Sequence, residues 1–92
     1  MGHMDYRKLD APLAALVDEA EDREAPIGEV FIHTDGPPGQ AALAMLQRLS
    51  AKGDANRTIF TAKLSVEAIV ELSEQSWVRY LKLSQRLRPL RR

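Results

Sequence analysis

The stretch from Thr58 to Leu83 constrains this chain most. It reads Thr58-Ile59-Phe60-Thr61-Ala62-Lys63-Leu64-Ser65, then a short amphipathic segment, then Trp77-Val78-Arg79-Tyr80-Leu81-Lys82-Leu83. A β-rich run that ends in serine is set to hand over to a helix, because the Ser65 hydroxyl can accept a hydrogen bond from a free N–H of the first turn. Glu67 lies in that turn, where the helix dipole favours an acid. Val66, Ile69, Val70 and Leu72 give the helix one apolar side, and Ser73-Glu74-Gln75-Ser76 ends it. A strand, a capped helix and a second strand in so short a span require a sheet with helical cover and argue against an all-helical fold.

The same logic extends upstream. Asp10 is a good N-cap and Pro12 falls in a first turn, so the spacing predicts a helix from about Ala11 to Asp22. Leu13, Leu16, Val17 and Ala20 form its apolar stripe. Asp18, Glu19, Glu21 and Asp22 crowd the C-terminal end, where the dipole disfavours them, so that end is expected to fray. Glu24-Ala25-Pro26-Ile27-Gly28 reads as a linker. Glu29 to Thr34 reads as a strand with Val30 and Ile32 on one face and Phe31 and His33 on the other. Large apolar residues on both faces suit a central strand.

Asp35-Gly36-Pro37-Pro38-Gly39 breaks that strand. A helix is predicted from about Gln40 to Ala51, with Ala42, Met45, Leu46 and Leu49 buried and Gly53 ending it. Arg57 to Leu64 is a strand in which Ile59 faces opposite to Phe60, Ala62 and Leu64. Trp77 to Leu83 is the last strand, and Ser84 to Arg92 is a tail broken by Pro89. The order is a helix followed by a βαβαβ core, with Val30, Ile32, Met45, Leu46, Leu49, Ile69 and Leu72 expected to share it. No internal repeat is visible.

Ninety-two residues make one small domain, and residues 5–92 are read as that unit, with Met1-Gly2-His3-Met4 set aside as an expression scar. With no cysteine and His33 as the one remaining histidine, a thiolate zinc site and a Cys/His nucleophile are excluded. The absence of cysteine fits any redox compartment, so localisation stays open. No apolar run reaches the roughly 20 residues that span a bilayer, and no membrane partner is expected. The net charge is zero but unevenly placed. Residues 5–29 hold eight acids against Arg7, Lys8 and Arg23, whereas six of the thirteen basic residues follow Trp77. That is either an acidic helix face with a solvated basic tail, or a basic contact surface for an acidic partner.

No catalytic set assembles. Asp35-Gly36-Pro37-Pro38-Gly39 precedes a helix, but its prolines remove two of the N–H groups a phosphate loop needs. His33 has no nucleophile or ligand spacing around it, and every serine has a capping or turn explanation, so neither catalysis nor a cofactor is expected. Trp77 and Tyr80 beside Arg79 and Lys82 invite base stacking, but no RNP-like segment accompanies them and packing is the better account, which makes nucleic acid an unfavoured partner. The remaining candidate is the basic end. Arg79, Lys82, Arg86, Leu87, Arg88, Leu90 and Arg91 are the expected partner-binding residues. The end is either a frayed terminus or an extended peptide whose leucines enter pockets on a partner.

Phe60-Thr61-Ala62-Lys63-Leu64-Ser65 and Trp77-Val78-Arg79-Tyr80-Leu81, within the span from Glu29 to Leu83, resemble the subtilisin propeptides, the peptidase inhibitor I9-like family. The resemblance implies an α+β fold, a small ferredoxin-like open sandwich with two helices on one face of an antiparallel sheet, here a βαβαβ core preceded by an N-terminal amphipathic helix, with a further short strand left open. It implies a non-catalytic domain that acts as protease inhibitor or intramolecular chaperone. The bare sheet face would dock onto a subtilisin-like serine protease, and Ser84 to Arg92 would lie in the substrate cleft. The chain departs from the family pattern at Lys82, where an acid is usual, and in the short span between Ala51 and Arg57. The alternative reading is an adaptor that recruits an effector through contacts with a like module, the basic end of one copy meeting Asp18 to Glu24 of another.

Overall fold

A computed structural model describes residues 4–54 and 56–87. Among them, three α-helices and three strands alternate: α1 (Ala11–Glu19), β1 (Pro26–Thr34), α2 (Gln40–Arg48), β2 (Ile59–Ser65), α3 (Val66–Ser73) and β3 (Val78–Arg86). The strands form one antiparallel sheet in the order β2-β1-β3. The domain is thus a small α+β fold with β1 at the centre.

Local chemistry places the helices where the sequence asks for them. Asp10 accepts a hydrogen bond from the Leu13 N–H at 3.1 Å and starts α1. Ser65 accepts from the Ala68 N–H at 3.2 Å and starts α3. The side chains facing the helices form one core of Val30 and Ile32 from β1, Phe60, Ala62 and Leu64 from β2, and Val78 and Leu81 from β3. Leu13 and Val17 of α1, Leu46 of α2, and Ile69 and Leu72 of α3 close over them. Met45 and Leu49, expected in the core, are half-buried against its margin.

Strand and helix ends depart from the sequence reading, for tertiary reasons. Pro26, Ile27 and Gly28 are not linker but the start of β1, because Ser65, Leu64 and Arg86 lie beside them as pairing partners. Ser84, Gln85 and Arg86 are likewise not tail: β3 runs on to Arg86, opposite Glu29 and Gly28. Trp77 precedes β3 and packs half-buried against the core, while β2 starts at Ile59 instead of Arg57. Helix α1 stops at Glu19, three residues before Asp22, at its acidic end.

Helix α2 stops at Arg48, and Ser50, not Gly53, turns the chain. Ser50 has φ of 58°, and the Ala51 N–H donates to the Leu46 carbonyl at 2.9 Å while the Ser50 N–H donates to Gln47 at 3.0 Å. That is a Schellman closure with serine at the left-handed position where glycine is favoured. Gly53 has a different task. A Cβ there would run into the buried Phe60 ring, so glycine allows the backbone to lie against it.

Both sheet edges carry short additions. Lys52 forms an isolated antiparallel bridge to Thr61 on β2, its N–H donating at 2.7 Å and its carbonyl accepting at 2.9 Å. Among the described residues of the narrow span between Ala51 and Arg57, Lys52 is thus the paired residue, in place of a further strand. On the other edge, Leu9 bridges Leu81 in parallel. There the Asp10 N–H donates to the Leu81 carbonyl at 3.1 Å, and the Asp10 carboxylate that caps α1 also accepts from the Leu83 N–H at 3.2 Å. One side chain thus starts a helix and satisfies a sheet edge. The buried Ser73 hydroxyl ties the N-terminus down, donating to Val70 and accepting from the Asp5 N–H at 3.1 Å.

Candidate functional site: the open face of the sheet

All three helices lie on one side of the sheet. The opposite side has no cover among the described residues, and the register fixes what it displays. Ile59, His33 and Tyr80 form one row across β2, β1 and β3. Thr61, Phe31 and Lys82 form the next, and Lys63, Glu29 and Gln85 the third. Ile59 is 47% exposed, and only Tyr6 matches it among the large apolar residues described. His33 meets Tyr80 edge to face, ring centroids 5.5 Å apart and planes at 68°. Phe31, His33, Ile59, Tyr80 and Lys82 line a shallow depression of about 340 Å³.

The charge on this face is mainly positive. Lys63 and Lys82 stand on it with Glu29 as the acid, and Arg79 is exposed at the β3 irregularity beside it. None of these four takes part in an ion pair among the described residues. A half-buried aromatic patch edged by free ammonium groups can bury apolar surface against a partner and attract carboxylates. Among the described residues, no group of three or more His, Cys, Asp or Glu side chains gathers as a metal site.

The structure divides the expected binding residues. Lys82 lies on the open face, with Arg79 exposed beside it. Arg86 lies opposite Gly28, on the helix side of the sheet, and its guanidinium meets Glu19 of α1 at 2.9 Å. Arg86 and the acidic end of α1 are therefore joined within one chain. Leu87 is half-buried, its N–H donating to the Ile27 carbonyl at 3.1 Å, so its backbone continues the sheet margin. Arg88, Leu90 and Arg91 lie outside the described residues. Trp77 and Tyr80 separate, one packed against the core and the other on the open face.

Phe31, His33 and Ile59 enter the site although the sequence reading assigned them no binding role. Their signal was present: Phe31 and His33 alternate out of the core, and Ile59 faces away from Phe60. What the alternation does not specify is whether the side facing away from Val30 and Ile32 will be covered as well.

Away from this face, the N-terminal segment holds the groups with displaced ionisation. The Tyr6 hydroxyl donates to Asp18 at 3.1 Å, and that hydrogen bond and the nearby carboxylate charge push the phenol above its ordinary value. The Arg7 side chain donates to Asp5 and holds its carboxyl below the ordinary value. No helix among the described residues is long and apolar enough to cross a membrane. Comparison with protein families, curated proteins and solved structures finds no match to this chain.

Proposed function

We propose that this chain is a non-catalytic protein-binding domain that docks through the open face of its sheet. The observation that carries the reading is the uncovered row of Ile59, His33 and Tyr80 above Phe31, on the face that three helices leave bare. A face of this kind is an interaction surface because its apolar atoms gain by leaving water, while Lys63 and Lys82 at its edges steer an acidic partner.

The architecture is read as a ferredoxin-like open sandwich that lacks one edge strand. The strand order β2-β1-β3 and the Lys52 bridge, placed where a further strand would lie beside β2, support that reading. With the I9-like sequence resemblance, it makes a subtilisin-like serine protease the first partner to test, the domain acting as inhibitor or intramolecular chaperone.

The test is inhibition of a subtilisin-type protease by the purified chain. Inhibition is expected, and Ile59→Asp should weaken it without unfolding the domain. Deletion should begin after Leu87, because Ser84 to Arg86 belong to β3. In the protease reading the shortened chain inhibits less well. No binding by the full chain, or equal inhibition by Ile59→Asp, would overturn the reading.

A further inference from the structure

The two most exposed large apolar side chains described, Ile59 and Tyr6, lie in surroundings of opposite charge. Ile59 stands on the sheet face with Lys63, Lys82 and Arg79 against Glu29. Tyr6 lies beside α1 and donates to Asp18. Over residues 5–24, Asp5 takes up Arg7, Arg86 takes up Glu19 and Asp10 accepts from backbone N–H groups, which leaves Asp18, Glu21, Asp22 and Glu24 against Lys8 and Arg23. Acidic side chains concentrate on the helix side, since α3 adds Glu67 and Glu71, Glu74 follows it, and α2 adds only Arg48, paired with Glu71. Each face thus holds an exposed ring or aliphatic side chain, and each holds the charge the other lacks.

We infer that the occupant of the open sheet face is a second copy of this chain, whose Tyr6–Asp18 surface docks over Ile59, His33 and Tyr80 with its carboxylates toward Lys82 and Lys63. This inference rests on the open face being a protein-docking surface and adds the partner. The contact is heterologous, joining two different patches, so each bound copy leaves one patch free for the next. A face-to-face pair would instead set like charges against each other and leave Tyr6 exposed. Head-to-tail contact satisfies both exposed residues and both charge excesses.

Sedimentation velocity of the full chain from micromolar to millimolar concentration tests this. Growth beyond a dimer with concentration is expected, and added salt should reverse it. Ile59→Asp and Tyr6→Ser both alter exposed side chains, so each should stay folded by circular dichroism and sediment as a monomer. Loss of such an anchor should weaken the contact by about tenfold or more. Mixed together, the two variants should form a one-to-one complex that grows no further, because each retains the patch the other has lost. A chain that stays monomeric, or a closed dimer that the mixed variants cannot restore, overturns the inference. So does a monomer that binds a single-stranded oligonucleotide with chemical-shift changes at Phe31 and Tyr80. The parent reading fails separately: Tyr6→Ser keeps the open face, so it should still bind the protease if that face docks other proteins.

Discussion

The two faces of β1 both carry large side chains and do different things. Val30 and Ile32 point under the helices and are wholly buried, while Phe31 and His33, one residue away in each case, remain half-exposed. β2 repeats the contrast, with Phe60 buried and Ile59 the more exposed of the two. One face is therefore a core, and the other mixes Phe31, Ile59 and Tyr80 with His33, Thr61, Glu29, Gln85, Lys63 and Lys82 and has no helix against it among the described residues. The comparison teaches that a large apolar side chain on a strand does not by itself make a core. Cover by α1, α2 and α3 does, and an uncovered apolar face is free for intermolecular contact.

The sharpest way to break this comparison is to truncate one residue on each face. Leu46 is 2% exposed, and Leu46→Ala should cost about 2–5 kcal/mol in denaturant unfolding. Ile59→Ser should change stability by less than about 0.5 kcal/mol while weakening association. Similar losses for both would mean that the sheet is covered on both sides.

The next effect concerns the edge that Asp10 seals. Its carboxylate accepts from both Leu13 and Leu83, so Asp10→Ala should cost about 1–3 kcal/mol by removing a helix cap and leaving the Leu83 N–H without that acceptor. Hydrogen exchange should also accelerate at Leu83. Unchanged exchange there would show that the bond contributes nothing to the edge.

A smaller effect of opposite sign is expected at the end of α2. Ser50 holds a left-handed conformation that disfavours a Cβ, so Ser50→Gly should raise stability by about 0.5–1 kcal/mol, less any gain in unfolded-chain freedom. Destabilisation would indicate a different closure of α2.

The smallest effect is a titration. Because Asp18 raises the Tyr6 ionisation, folding favours the neutral phenol, and this contribution is present below about pH 10 and lost as pH rises through the folded value. Asp18→Asn should bring the Tyr6 ring transition, followed by NMR, back toward the ordinary tyrosine value. An unmoved transition would separate Tyr6 from Asp18 and weaken the patch proposed for self-association.

The sequence by itself determined the element types and where the helices start. Asp10 and Ser65 cap helices through hydrogen bonds closed within three residues, and Val30-Phe31-Ile32-His33 alternates as a strand must. Such signals are local, so neighbouring residues suffice to read them. Only the tertiary structure decided where strands end, because Pro26 and Arg86 enter the sheet through partners far along the chain. It decided that Arg86 turns to Glu19 and away from the open face. It also decided that the side of β1 carrying Phe31 and His33 has no helical cover among the described residues. The two-residue period assigns Val30 and Ile32 to one face and Phe31 and His33 to the other, but whether the second face is covered depends on helices packed from elsewhere in the chain.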